Sequence, residues 1–331
     1  MAEHGSSACS HPSERKYKIA LCQLFVSKNK LENIRHAREL LEAAADGGAK
    51  LILLPEMWNC PYSNELFSLF AEEIDADDLS GSPSCGMLAE VSRSRKVTLV
   101  GGSIPERFGS HLYSTCCVFG SNGKLRARHR KVHLFDVDIP GQLTFKESAT
   151  LTAGDELTIV DTDVGLLGIG ICHDIRFPEL AILCAERGAD VICYLAAFEM
   201  NTGPLFWEVL QKARALDNQL YVATCSPARD LTINHAAWGH STVVGPFGEI
   251  LATTGHEEAV VFADIDYAYI REVSDQHETW WCRISIKEEH ARQERECLEI
   301  WKESILEVLG WCKAPKFVKE VNIKEALSWI W

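Results

Sequence analysis

The sequence predicts an α/β fold of two mixed β-sheets packed face to face, with helices outside. Three observations lead there. Short apolar runs, too brief for helices, alternate with longer stretches of helical periodicity. Hairpin turn signals at Asn122-Gly123 and around Gly245-Pro246-Phe247-Gly248 interrupt that alternation, and purely parallel doubly wound sheets lack so many hairpins. Hydrophobic residues make up 47% of the 331, ample for a sizeable core.

The elements follow in order. Tyr17–Val26 (YKIALCQLFV) reads as a strand, and Asn29–Ala45 as a helix with Leu31, Ile34, Leu41 and Ala44 at helical spacing, stopped by Gly47-Gly48. Lys50–Leu54 is a buried strand ending in Pro55-Glu56. A loop over Trp58–Asn64 leads to an acidic stretch, Glu72–Asp78, expected to be helical. A helix over Ser84–Arg95 precedes a strand at Val97–Ile104 and a hairpin of Ser114–Phe119 with Leu125–His129. Strands are expected at Leu157–Val160 and Leu166–Ile171, then a helix from Pro178, suited to the first helical turn, to Arg187. Strand Asp190–Ala196, helix Leu205–Asp217 and strand Leu220–Cys225 come next. A hairpin of Ser241–Val244 with Glu249–Ala252 and a strand at Ala259–Asp266 end the series. The chain thus divides into a polar N-terminal tail (1–16), a main α/β domain (17–273) and an atypical tail (274–331). That last tail holds six of the nine tryptophans and a helix-like stretch at Ile286–Trp311.

Composition narrows the function. A net charge of −14 argues against nucleic acid, which demands a basic face, but not against a small anionic substrate. Thirteen cysteines without a CxxC pair suit a reducing compartment, with thiols used as core residues. No apolar run approaches the ~18 residues of a membrane span, and residues 1–16 lack the apolar segment of a secretory signal. Cytoplasmic placement is expected, with a mitochondrial one left open. No phosphate loop or dinucleotide fingerprint is present, so no cofactor is expected. His129 and His133 are four apart but outside a helix, so a metal pair is not expected.

Three strand ends carry the chemistry. Cys172 follows the run LLGIG (Leu166–Gly170), where a buried strand hands over to a helix and open α/β sheets place reactive groups. Backbone N–H groups and cations there are expected to lower its thiol pKa. Glu56 closes LILLPE, and Lys131 closes a hairpin strand. Taken singly, each has an ordinary reading: a core thiol, a helix cap, a solvated lysine. Together they are what amide hydrolysis through a thioester requires. The thiolate attacks the carbonyl carbon, a carboxylate moves the protons, and a cation holds the oxyanion.

Six segments in order then resemble one family. They are LLPEMWNCPYSN (53–64), RKVHLFDVDIPG (130–141), FKESATLTAGD (145–155), GIGICHDIRFPEL (168–180), GPLFWEVLQKARALDNQLYVATCSPARD (203–230) and WGHSTVVGPFGEILA (238–252). Together they resemble the carbon–nitrogen hydrolases of the nitrilase superfamily, most closely its omega-amidase branch, over about Lys18 to Asp266. The resemblance implies a four-layer α-β-β-α sandwich, usually paired as a homodimer. It implies Cys172 as nucleophile, Glu56 as general base, Lys131 as oxyanion cation and Glu147 as a second carboxylate near the lysine and substrate. The His173 backbone N–H would be a further oxyanion donor. It also implies a small carboxylate-bearing amide as substrate, such as α-ketoglutaramate or α-ketosuccinamate. Arg176 would clamp the carboxylate, as a guanidinium does bidentately, and Tyr62 and Thr202 would border it. Arg176 could instead be tied up by Asp174, Glu179 or Glu199. Two positions depart from the family pattern: His173 stands where tyrosine is common, and Glu199 where asparagine is usual. Glu199 is expected to repel an anionic substrate. Rival readings are another reaction of the superfamily, such as N-carbamoyl-β-amino-acid or nitrile hydrolysis, and a non-catalytic binding protein on the same fold.

Overall fold

The computed structural model describes residues 16–139, 143–233 and 235–270. The tails expected at 1–16 (apart from Lys16) and 274–331, with the helix-like stretch at Ile286–Trp311, lie outside them.

Two six-stranded sheets form the centre. The first contains β1 (Lys16–Gln23), β2 (Ala49–Leu53), β3 (Thr98–Phe108), β4 (His111–Phe119), β5 (Leu125–Arg130) and β14 (Ala259–Asp266), ordered β14-β1-β2-β3-β4-β5. The second contains β8 (Thr158–Thr162), β9 (Gly165–Ile171), β10 (Val191–Leu195), β11 (Tyr221–Cys225), β12 (Thr242–Val244) and β13 (Ile250–Thr253), ordered β13-β12-β11-β10-β9-β8. Each sheet has three parallel central strands, β1-β2-β3 or β9-β10-β11, with antiparallel strands at its edges. Mixed sheets of this kind are what the hairpin signals required.

The central strands are apolar on both faces because both faces are covered. In β1, Ile19 and Leu21 enter the core between the sheets, while Ala20 and Cys22 join the core under the helices. Leu51 and Leu53 alternate with Ile52 in the same way. The adjacent thiols Cys116 and Cys117 in β4 likewise point to opposite layers. The first sheet's helix layer is α1 (Lys30–Asp46), contributing Ala37, Leu41 and Ala44, and α3 (Pro83–Arg95), contributing Leu88 and Val91. On the second sheet lie α4 (Pro178–Glu186) and α5 (Gly203–Asn218), which put Leu180, Cys184, Trp207 and Ala215 into its core. The result is the α-β-β-α sandwich.

Two local differences from the sequence reading stand out. Glu72–Asp78 is not helical; the helix is α2 (Asn64–Phe70), one segment earlier. Asp75 accepts from the Asp77 N–H and Asp78 from the Ser80 N–H, and such side-chain bonds draw the backbone away from helix. The strands β6 (Asp136–Ile139) and β7 (Leu143–Lys146) form a separate antiparallel ribbon that the sequence reading did not contain.

Candidate active site

Glu56 sits just past β2, in a loop that β3 holds closely. The Ser103 N–H donates to the Pro55 carbonyl at 3.0 Å, the Met57 N–H to Ser103 Oγ at 3.1 Å, and Trp58 Nε1 to the Gly101 carbonyl at 2.7 Å. Gly102, at φ +65°, permits this approach: a Cβ there would stand 2.5 Å from the Pro55 carbonyl oxygen and 2.4 Å from Trp58. Glu56 caps no helix, since only turns follow it.

Lys131 follows β5 directly. Its backbone N–H donates to the Ser114 carbonyl at 2.9 Å, which aims the side chain inward. The ammonium is fully buried and donates to Glu56 Oε1 at 2.8 Å and Glu147 Oε1 at 2.9 Å. Glu147 opens a short 3-10 turn after β7. Its Oε2 accepts from the Phe135 N–H at 2.6 Å, and its Oε1 accepts from the Tyr62 hydroxyl as well as from Lys131. The ribbon β6-β7 carries both Phe135, at its start, and Glu147, at its end.

Cys172 begins a 3-10 turn (Cys172–Arg176) at the end of β9, with φ +46°. A non-glycine residue in that region is strained and needs its surroundings to hold it. Asp174 does so: it accepts from the Ile171 N–H at 2.8 Å, the His133 N–H at 2.9 Å and His133 Nδ1 at 2.8 Å, with His129 Nε2 at 3.4 Å. Burial would raise this carboxyl, but the bonds from the two histidines outweigh it and hold it well below its ordinary value. Behind the turn, Arg214 of α5 donates to the Ile175 carbonyl at 2.9 Å. His129 and His133 are thus both committed to Asp174.

The electrostatics follow from burial. Burial alone would strip the Lys131 proton, but Glu147 and Glu56 outweigh it and hold the ammonium charged, its pKa well above the ordinary value. Burial pushes Glu56 up to about 7, against the pull of Lys131 and of a hydrogen bond from the Cys172 thiol, with the Glu147 charge adding to the rise. The thiol itself runs opposite to expectation. Burial and the Glu56 charge raise it well above the ordinary value, outweighing Lys131 and the Ala197 N–H, which favour the thiolate. The resting site therefore holds a neutral thiol beside a carboxylate, not a standing thiolate.

Cys172 is 7% exposed, toward a cleft of about 300 Å³ lined also by Tyr62, Phe135, His173, Arg176, Phe198, Glu199, Thr202 and His235. Every residue predicted from the sequence as part of a site lies either here or in the buried cluster of Glu56, Lys131 and Glu147. The Arg176 guanidinium stacks over Phe206, 4.2 Å from its ring centre, and pairs with none of the carboxylates weighed from the sequence. Thr202 holds the N-cap position of α5 without capping it. The Tyr62 hydroxyl is committed to Glu147, so the ring rather than the hydroxyl borders the cleft. His173 Nδ1–H donates to the Leu134 carbonyl at 2.9 Å, and burial lowers its pKa. His235 escaped the sequence reading. Its ring stacks on Tyr62 at 4.2 Å and its Nε2–H donates to the Ala197 carbonyl at 2.8 Å. It comes from an irregular loop with no local motif, so no spacing signalled it.

Comparison with known proteins gives the same picture. The family model described as carbon-nitrogen hydrolase matches residues 18–275. The chain is 63% identical to "Omega-amidase, chloroplastic" of Arabidopsis thaliana over 261 residues, 79% of this chain and 70% of that protein. It is 48% identical to "Omega-amidase NIT2" of Danio rerio over 261 residues, 79% of this chain and 92% of that protein. Among solved structures, Saccharomyces cerevisiae Nit3, described as a member of branch 10 of the nitrilase superfamily, superposes with a TM-score of 0.74 at 40% identity, covering 80% of this chain and 95% of that one. A fold, a buried thiol–carboxylate–ammonium cluster and these similarities agree: the chain belongs to the carbon–nitrogen hydrolase family, in the omega-amidase branch of the nitrilase superfamily.

Proposed function

We propose that this protein is an omega-amidase that hydrolyses the side-chain amide of small dicarboxylate monoamides, α-ketoglutaramate and α-ketosuccinamate among them, through a thioester on Cys172. The observation that carries the reading is the fully buried Lys131 ammonium held between Glu56 and Glu147, beside a strained thiol that opens onto a cleft. Glu56 takes the thiol proton as sulfur attacks the amide carbon. Lys131 and the His173 N–H, at the start of the short turn where intrahelical partners are lacking, take the developing oxyanion. Glu56 then gives its proton to the departing ammonia and later draws one from the water that cleaves the thioester. Arg176, stacked and unpaired, holds the substrate carboxylate, with Thr202 beside it.

The test is ammonia release from α-ketoglutaramate. Wild type turns over; Cys172→Ala and Cys172→Ser do not. Activity retained in both variants rejects the thioester.

We also read the chain as a homodimer. Leu205, Val209 and Leu216 on α5, with Ile182 and Leu183 on α4, leave apolar side chains exposed on the outer helices. No helix among the described residues is long and apolar enough to cross a membrane. The nine described cysteines are all free, which supports a reducing compartment, the cytoplasm. A fluorescent fusion found only inside an organelle would refute that placement, and the relative from Arabidopsis thaliana is named as chloroplastic.

A further inference from the structure

We propose that His235 is a positioning residue for the amidase reaction: its imidazole braces the Ala197 backbone beside the Cys172 sulfur against the Tyr62 ring beside Glu147 and Lys131, and so keeps nucleophile and oxyanion cation in register. The inference rests on the amidase reading and deepens it.

His235 stands in the loop between β11 and β12 and touches both halves of the buried cluster. On one side its ring lies on Tyr62, the centroids 4.2 Å apart and the planes 17° from parallel. The Tyr62 hydroxyl donates to Glu147 Oε1, the oxygen that also accepts from Lys131 at 2.9 Å. On the other side His235 Nε2–H donates to the Ala197 carbonyl at 2.8 Å. Ala197 lies two residues past the end of β10, and its own N–H bonds the Cys172 sulfur. The neighbouring chain is tied down separately. Glu199 bridges Ala237, and the Trp238 N–H donates to the Phe198 carbonyl at 2.6 Å. Those bonds hold residues 198 and 199, whereas the Ala197 carbonyl is held by the imidazole.

The part His235 plays is positional because its proton is committed. Burial lowers its pKa, so the ring is neutral at neutral pH, and a carbonyl partner requires the one proton to sit on Nε2. That proton is not free for the departing ammonia. What the ring controls is geometry across the sandwich. Cys172 and Ala197 follow strands of the second sheet, while Lys131 and Tyr62 follow strands of the first. Sulfur must reach the amide carbon while the amide oxygen meets the ammonium, and a misplacement of about 1 Å costs on the order of 10²-fold in rate. Without the imidazole, the Ala197 segment loses the bond that fixes its carbonyl, and its N–H loses its aim at the sulfur.

The test uses the full-length protein and two readouts: ammonia release from α-ketoglutaramate, and the rate at which iodoacetamide alkylates Cys172 at about pH 8, followed by peptide mass. His235→Ala should lower kcat about tenfold or more with KM within about threefold of wild type, and should slow alkylation at least about threefold. His235→Gln keeps an N–H for the Ala197 carbonyl and should recover most of both rates. His235→Phe keeps the stack on Tyr62 without the donor and should recover neither. A role confined to loop packing gives the opposite signs: a loosened loop exposes the thiol and speeds alkylation, and phenylalanine then outperforms glutamine. Alkylation unchanged or faster in His235→Ala, or a loss that falls on KM alone, overturns the inference and leaves the amidase reading standing. The comparison of His235→Gln with His235→Phe decides should the alanine variant not fold. A wild type that releases no ammonia overturns the amidase reading and this inference with it.

Discussion

Replacing Lys131 with methionine separates what the ammonium does for the fold from what it does for the reaction. The side chain is fully buried, and its nitrogen stands 2.8 Å from one carboxylate and 2.9 Å from another. Methionine fills much of the same space but strands Glu56 and Glu147 in the interior with no counter-charge. Removing one partner of a buried ion pair costs roughly 3–5 kcal/mol. At roughly 2–4 °C per kcal/mol for a domain of this size, the melting temperature should fall by about 6–20 °C. The loss should depend on pH in a definite direction. Glu56, already raised by burial with the lysine present, loses the lysine's pull and has a folded-state pKa further above its unfolded one. The folded state then binds more protons, so the variant gains stability as pH falls from about 8 toward 5. Turnover should fall about 10²–10³-fold, the usual cost of an oxyanion donor. Adding Glu147→Gln removes one stranded charge while the amide oxygen still accepts from the Phe135 N–H and the amide NH2 can donate to the Tyr62 hydroxyl oxygen. The double variant should recover part of the melting temperature and none of the turnover. Calorimetry at the two pH values and an ammonia assay read all three quantities. A single variant melting within a degree or two of wild type, or a double variant with restored turnover, would refute the electrostatic account.

Two further predictions are simpler. With Glu56 pushed up to about 7 by burial, its charged, proton-accepting form appears only as pH rises through that value. The kcat/KM profile should therefore have an acid limb near pH 7, and Glu56→Gln should erase the limb while cutting kcat/KM by about 10²–10⁴; a profile flat from pH 5 to about 8 in the wild type contradicts this base. If the exposed apolar residues of α4 and α5 meet a second copy, light scattering gives twice the monomer mass, and Leu205→Glu with Val209→Glu yields monomer; a wild-type mass of about 37 kDa speaks against the dimer.

Much of the sandwich was legible because its central strands bury both faces. Ile19–Cys22, Leu51–Leu53 and Gly165–Ile171 are unbroken runs of apolar residues and glycine within their strands, and the final strand falls at Ala259–Asp266 in sequence and structure alike. The candidate site was legible for a related reason. Glu56, Lys131 and Cys172 each stand within three residues of a strand end, so strand boundaries and residue chemistry together select them. What escaped depends on partners distant in sequence. The strands of the β6-β7 ribbon, DVDI and LTFK, do alternate polar with apolar, but four residues each are too few for the alternation to stand out. The Glu72–Asp78 stretch had acidic helix-like composition, but its aspartates cap their own backbone. The direction of the Cys172 shift depends on how much charge and burial meet at one atom. Neighbouring cations in sequence suggested a lowered pKa; the folded neighbourhood puts Glu56 and near-complete burial against it.

That reversal bears on which carboxylate does what. Glu147 has three donors on its two oxygens: Lys131 and Tyr62 on Oε1, Phe135 on Oε2. It cannot turn without breaking these bonds, and only one lone pair, on Oε2, is left free. Glu56 takes the Lys131 ammonium on Oε1 and a hydrogen bond from the Cys172 thiol, and its Oε2 accepts from no N–H or O–H group. A proton arriving from the neighbouring thiol meets an oxygen there with no N–H or O–H on it, whereas both oxygens of Glu147 already accept. Burial, with the Glu147 charge adding to it, is what raises the Glu56 pKa against the pull of Lys131. On the proposed mechanism, Glu56 is therefore the carboxylate that exchanges the proton and Glu147 the one that holds the lysine in place. Because the thiol is neutral at rest, that exchange is a required step and not a preset condition. In that mechanism, the unpaired oxygen of Glu56 is the feature by which a buried, weakly acidic cysteine would become a nucleophile.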